Sequence, residues 1–97
     1  MKNLGHVKHF GSDIQIKQTE YADGRIALQL IDMEDGGPYA TFSVNLPAVA
    51  LLDGEFLAKT WGENESLRDP MMNTGLFIDT GKREKSGFVS AEVWRLA

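Results

Sequence analysis

The 97-residue chain contains no cysteine, only two histidines and no long apolar run. Without cysteine there can be no disulfide, no thiolate nucleophile and no cysteine-ligated zinc or iron–sulfur centre. No window approaches the roughly 20 apolar residues of a membrane-spanning helix, and the first residues hold no apolar block typical of a secretory signal. We therefore expect a cytoplasmic protein that has no membrane partner.

Catalytic and ligand-binding motifs are also missing. The Gly-x-Ser-x-Gly pattern of a nucleophile elbow is absent. The segment from Gly75 to Gly81 departs from a phosphate-binding loop because it is one residue too long and Arg83 follows where serine or threonine belongs. A calcium loop beginning at Asp32 would need a ligand at its twelfth position, where Ser43 lies in a predicted strand. These absences predict a protein that is not an enzyme and binds no cofactor.

The two histidines do not predict a metal site. His6 and His9 are three positions apart, and Asp13 follows nearby. Because successive side chains of a strand point to opposite faces, positions 6 and 9 would not converge on one ion. We predict no metal ligands here and expect both histidines to lie on the surface.

Apolar residues recur at every second position in three successive segments, residues 13–20, 26–32 and 39–46. Asp23-Gly24 between the first two segments is a preferred pair for a tight hairpin turn. The acidic, glycine-rich stretch before residue 39 predicts a second hairpin tip. In the third segment the expected inward residues are Ala40, Phe42, Val44 and Leu46, and the expected outward residues are Thr41, Ser43 and Asn45. This period of two predicts an antiparallel meander.

The remaining segments predict further short strands. Residues 4–10 alternate poorly, which favours an edge strand or an ordered arm. Residues 48–52 predict a loop that covers the sheet, and residues 55–61 predict a short strand. A basic loop is expected at residues 82–87. The last strand, residues 88–96, has apolar residues on both faces and is therefore expected to be central or covered.

A single helical element is predicted between Asn64, a candidate capping residue, and Gly75, a candidate terminator. Pro70 argues against one continuous helix, because proline in a helix interior removes a hydrogen bond and clashes with the preceding turn. We therefore expect a broken or partly 3₁₀ element, in which Asp69 caps the second part.

The fold class predicted from these segments is α+β, mainly β, in one domain covering residues 1–97. It comprises an antiparallel meander sheet of five to seven strands with one short helix packed on one face. A small β-barrel is the alternative, because many short strands at this spacing are also typical of small barrels.

Charge is distributed unevenly along the chain. The net charge is −4, but residues 20–69 carry ten acidic and three basic side chains, a net charge of −7. An acidic surface would attract a protein with a basic surface and repel nucleic acid. The alternative is that acidic turns merely keep a small protein in solution. The candidate partner-binding residues are Asp32, Glu34, Asp35, Asp53, Glu55, Glu63 and Glu65.

A second hypothesis is a nucleic-acid-binding accessory protein that uses a basic sheet face. Its candidate residues are Lys82, Arg83, Lys85 and Arg95, together with Lys8 and Lys17. The sequence disfavours this hypothesis because Glu84 interrupts the basic run. A homodimer formed through an exposed strand edge is compatible with either hypothesis.

Several phrases of the sequence suggest a relationship: YADGRIALQLIDMEDGGPYATFSVNLP, then GENESL, DTG and SGFVSAEVWRL. Over residues 14–96 the chain resembles a small domain-of-unknown-function family of bacterial, plasmid and prophage proteins. The resemblance implies an accessory protein of a mobile genetic element. It also implies a specific role, inhibition of a host defence system such as CRISPR by occupying a basic surface. No catalytic residue is implied.

Overall fold

A computed structural model describes all 97 residues and contains two antiparallel four-stranded sheets. The strands are β1 (Lys2–His9), β2 (Ser12–Glu20), β3 (Ile26–Asp32), β4 (Pro38–Thr41), β5 (Ser43–Val44), β6 (Glu55–Ala58), β7 (Phe77–Ser86) and β8 (Val89–Leu96). The first sheet has the strand order β1-β2-β3-β4, and the second has the order β5-β6-β8-β7. The predicted mainly β, antiparallel fold with one short helix is confirmed. The strands number eight rather than five to seven, and neither sheet closes into a barrel.

The chain passes from the first sheet to the second at Phe42, within the segment predicted to be a single third strand. β4 pairs with β3, whereas β5 pairs with β6. The backbone N–H of Phe42 donates to the carbonyl of Leu28 at 3.0 Å, and its carbonyl accepts from Lys59 N–H at 3.1 Å. Phe42 is fully buried. It therefore joins the two sheets through its backbone and its side chain.

The change of sheet reverses the facing predicted for Ser43. This residue was expected to point outward, but it is buried. Its hydroxyl accepts from the backbone N–H of Leu28 at 3.0 Å and lies 2.7 Å from the hydroxyl of Tyr21. Both of these polar contacts are possible because Ser43 sits where the two sheets meet. The predicted alternation fails at this position for that reason.

The main core lies between the two sheets and under the helical segment. Its buried residues are Val7, Ile14, Ile16, Leu28, Leu30, Phe42, Phe56, Ala58, Leu67, Met71, Phe77 and Trp94. A second, smaller cluster of Leu57, Ala91 and Val93 lies on the other face of the second sheet. Side chains from the loop after β5, including Val49 and Leu51, cover this cluster. Strand β8 is central and apolar on both faces, as predicted.

The helical element is partly 3₁₀, which is one of the two outcomes that the proline predicts. A 3₁₀ helix, Gly62–Leu67, runs directly into α1, Arg68–Asn73. Pro70 lies in the first turn of α1, where helix N–H groups lack partners within the helix, so its missing N–H is tolerated. The cap predicted at Asp69 is wrong, because α1 begins one residue earlier and has no side-chain cap. No helical segment has the length and hydropathy needed to cross a bilayer.

Asn64 has a different role from the cap predicted for it. Its side chain is fully buried, and its amide group donates to the carbonyls of Thr41 at 2.8 Å and Lys59 at 3.1 Å. These bonds tie the 3₁₀ helix to the end of β4 and to the segment after β6. Asn64 therefore positions the helical segment over the core.

Two turns differ from their predictions. The β2–β3 turn spans residues 21–25, as the predicted segments require, but only Gly24 of the Asp23-Gly24 pair adopts a positive φ, so the turn is not the expected tight type. The basic loop predicted at residues 82–87 is largely strand, since β7 continues to Ser86 after a bulge. The reversal before β8 is a two-residue turn at Gly87 and Phe88.

Strand β1 is an edge strand, which agrees with its poor alternation.

Candidate functional site at the turn end of the first sheet

Two connections of the first sheet lie side by side, and we call this region the turn end. One is the β1–β2 turn at Phe10 and Gly11, and the other is the β3–β4 loop, residues 33–37. The backbone N–H of Met33 donates to the carbonyl of Asp13 at 2.9 Å and holds the two connections together. A shallow depression lies between them. The turn end thus combines residues that are distant in sequence.

Phe10 is an exposed aromatic residue in a strained backbone conformation. Its φ is 48°, and it is the only residue other than glycine with a positive φ. With Gly11 at φ 80°, both central residues of the turn are left-handed, as in a type I′ hairpin, where asparagine or glycine is normally preferred at this position. The Phe10 side chain is 84% exposed. Strain and exposure together single out this residue.

Phe10 packs against a buried histidine whose ring is held at both nitrogens. The Phe10 and His9 ring centroids are 4.1 Å apart. His9 Nδ1 lies 2.6 Å from the hydroxyl of Tyr39, and His9 Nε2 lies 2.9 Å from Oγ of Ser66. The prediction of a surface histidine is therefore wrong for His9. These two hydrogen bonds fix the ring and connect the turn end to the 3₁₀ helix.

The β3–β4 loop carries acidic side chains that have no cationic partner. Asp32 Oδ1 accepts from the backbone N–H of Glu34 at 2.9 Å, and Asp35 Oδ1 accepts from Gly37 N–H at 2.7 Å. These two carboxylates shape the loop, while the Glu34 side chain is exposed and makes no hydrogen bond or ion pair. Met33 is 51% exposed beside them. Acidic and apolar groups are thus presented together.

The other predicted acidic residues do not join this surface. Asp53 is exposed, but it lies beside the β2–β3 turn, at the opposite end of β3 and roughly 20 Å away along the strand. Glu63 forms an ion pair with Lys59 at 3.1 Å. Glu65 is exposed on the 3₁₀ helix and precedes Ser66, which contacts His9. The predicted acidic set is therefore divided between at least two regions.

Glu55 is unavailable to a partner because it is buried. One carboxylate oxygen lies 2.8 Å from the ammonium of Lys82, and the other accepts from the backbone N–H of Leu52 at 2.8 Å. These hydrogen bonds lower the pKa of Glu55 below its ordinary value of 4.5. Glu55 thus stays charged and holds the covering loop and β7 against β6.

The four basic candidates do not form one sheet face. Paired residues of an antiparallel ladder point to the same side. Arg83 pairs with Glu92 and Lys85 pairs with Ser90, so both cations lie on the face of β8 that carries its even-numbered residues. Arg95 is an odd-numbered residue of β8 and therefore lies on the opposite face. Arg83 also forms a bidentate pair with Asp79, and Lys82 is held by Glu55. Two of the four cations are therefore already neutralised.

A partly buried ionic network lies where α1 packs on the second sheet. Glu92 accepts two close hydrogen bonds from Arg68, each at 2.9 Å, and one from the indole N–H of Trp94 at 3.0 Å. The hydroxyl of Thr60 donates to the same carboxylate at 3.1 Å. Burial raises the pKa of Glu92, but these hydrogen bonds outweigh it and hold the pKa below its ordinary value of 4.5. This network connects α1 and the segment after β6 to strand β8.

Sequence reasoning missed the apolar part of the turn end. The predictions from sequence assign no role to Phe10, Met33 or Tyr39. One signal was available in the sequence: a large aromatic residue directly before Gly11, at a position where turns favour asparagine or glycine. The contacts of His9 with Tyr39 and Ser66 join residues 30 and 57 positions apart, which no local pattern reveals.

No family model, curated protein or solved structure matches this chain. The resemblance to the plasmid and prophage family therefore stays a prediction.

Proposed function

We propose that the protein is a non-enzymatic binding protein whose turn end docks on a basic surface of another protein. One observation carries the proposal. The carboxylates of Asp32, Glu34 and Asp35 have no cationic partner, whereas Glu55, Asp79 and Glu92 are each paired with lysine or arginine. Unpaired acidic groups beside exposed apolar side chains favour association with a basic protein surface.

The resemblance stated above directs this proposal to accessory proteins of mobile genetic elements. Within that group, inhibitors of a host defence system such as CRISPR would use an acidic surface to occupy a basic one. The nucleic-acid-binding alternative has less support, because Lys82 and Arg83 are engaged by carboxylates and Arg95 faces away from Lys85.

The experiment compares partner recovery by two neutralised variants that have the same net charge. The test variant, Asp32→Asn/Glu34→Gln/Asp35→Asn, removes the acidic groups of the β3–β4 loop but keeps the side-chain oxygens that accept from Glu34 N–H and Gly37 N–H. The control variant carries Glu20→Gln, Asp53→Asn and Glu84→Gln, which are acidic positions outside the loop.

We expect wild-type and control proteins to recover the same host protein from a lysate and the test variant to lose it. Binding should also weaken as salt rises, since exposed charges are screened. Equal recovery by all three proteins would contradict the proposal. A gel shift at low salt that depends on Lys85 and Arg95 would favour the nucleic-acid alternative instead.

A homodimer is also part of the proposal. The free edges belong to β1 and β4 in the first sheet and to β5 and β7 in the second. A light-scattering mass measured with and without the recovered partner distinguishes a monomer from a dimer.

A further inference from the structure

We propose that Phe10 is the apolar anchor of the turn end and that it packs against an apolar segment flanked by lysine or arginine in the partner. This inference rests on the proposed function and names the chemistry of the partner. It adds an apolar contact to the electrostatic one, so the two can fail separately.

The conformation of Phe10 gives the first argument. A left-handed backbone at a bulky residue lowers the stability of the free protein, and asparagine at this position would relieve the strain. The ring recovers little in return, because it is 84% exposed and its one aromatic neighbour is the tilted ring of His9. An exposed aromatic residue that lowers the stability of the free protein is explained if its ring is buried in a complex.

The support beneath Phe10 gives the second argument. The His9 ring under it is fixed by Tyr39 on one side and Ser66 on the other. With φ set by the turn and its ring beside the fixed ring of His9, Phe10 has less freedom to lose on binding than an unsupported aromatic side chain. Pre-organisation of this kind reduces the entropic cost of association.

The β3–β4 loop, the other connection at the turn end, indicates the chemistry of the partner. Met33 offers a flexible apolar surface that adapts to different side chains. The carboxylates of Glu34 and Asp35 lie in the same loop and have no cation near them. Charge complementarity therefore favours a partner segment in which lysine or arginine alternates with apolar residues.

The test is a titration of ¹⁵N-labelled protein with three blocked hexapeptides, followed by NMR. In the first peptide, lysines alternate with leucines and a phenylalanine; in the second, serines replace the apolar residues; in the third, glutamates replace the lysines. We expect the first peptide alone to shift the amide signals of residues 10–13 and 32–36. Phe10→Asn should weaken its binding by at least about fivefold.

Phe88→Asn is the matched control, because Phe88 is also fully exposed at a two-residue turn but has an ordinary φ. It should leave peptide binding unchanged. Phe10→Asn should in addition keep or raise the thermal midpoint, so that lost binding cannot be attributed to unfolding.

Equal binding of the lysine–serine peptide, or unchanged binding by Phe10→Asn, would overturn the anchor but leave an electrostatic interaction intact. Absence of shifts with all three peptides would also overturn the anchor. The proposed function would still stand in that case if the acidic-loop variant loses its partner from lysate.

Discussion

Acidic residues of the second sheet and of the turn end of the first sheet differ in whether their carboxylates have side-chain partners. Glu92 on β8 is held by Arg68, Trp94 and Thr60, whereas Glu34 in the β3–β4 loop has no side-chain partner. The sequence alone does not distinguish these two acidic residues. The comparison shows that the Glu92 carboxylate is held in the folded structure by a nearby positive charge, while the Glu34 carboxylate is exposed and has no partner.

Burial accounts for this difference. A carboxylate that loses water on folding must regain hydrogen bonds, and Glu92 regains them from three side chains. Glu34 keeps its water and requires no partner. Substitutions in the two regions should therefore have effects of different size, and on different properties.

The largest effect on stability is expected where the chain passes from the first sheet to the second. Phe42→Ala should destabilise the protein by about 3–5 kcal/mol, because the buried ring leaves a cavity between both sheets. Denaturant unfolding followed by tryptophan fluorescence and by far-UV circular dichroism should show one common transition at lower denaturant. An unchanged midpoint would contradict the role of Phe42, and two separate transitions would show that the sheets unfold independently.

Glu92→Gln should have the next largest effect, about 2 kcal/mol of lost stability. The substitution leaves Arg68 without its main counter-charge, and the penalty is moderated because the Arg68 side chain is one-third exposed. Chemical denaturation measures it. The matched substitution is Glu34→Gln. Equal losses of unfolding free energy in the two variants would show that the two carboxylates do not differ in their contribution to folding.

Much of the first sheet could be predicted from local pattern. The alternation of Ile14, Ile16, Leu28 and Leu30 with polar residues gives two strands and their inward faces, because a half-buried sheet requires that period. Pro70 likewise predicts that the helical element is partly 3₁₀. These features depend on neighbours within a few residues.

The division into two sheets could not be predicted in this way. The sequence around Phe42 has the pattern of one uninterrupted strand. The change of sheet is visible only in the pairing, because β4 before Phe42 pairs with β3 and β5 after it pairs with β6. The same limit applies to charge. Whether Glu55 is free or paired depends on Lys82, which is 27 residues away in sequence and lies beside it through the pairing of β6, β8 and β7.

Acid should weaken the second sheet. The pKa of Asp79 is lowered below its ordinary value of 3.8 by hydrogen bonds from Arg83 and the nearby charge of Arg68, and the pKa values of Glu55 and Glu92 are also lowered. Because each folded pKa lies below its unfolded value, the stabilisation is complete above about pH 5 and is lost as pH falls through the folded pKa values.

Thermal unfolding between pH 6 and pH 2.5 should therefore show a falling midpoint below about pH 4.5, with a shallower fall in Glu92→Gln. The contribution of Glu92 to this fall is smaller than the cost of replacing it, because replacement is permanent while protonation is partial over most of the range. A variant curve parallel to that of the wild type throughout would contradict the role given to Glu92.

The smallest effect on stability is expected for Glu34→Gln, within about 0.5 kcal/mol of the wild type, because the side chain is exposed and unpaired. Binding is the property that should change, with a weaker response to salt, since one carboxylate is lost from the interacting surface. If Glu34→Gln unfolds as easily as Glu92→Gln while partner binding is untouched, the loop carboxylates serve folding and the turn end is not the binding surface.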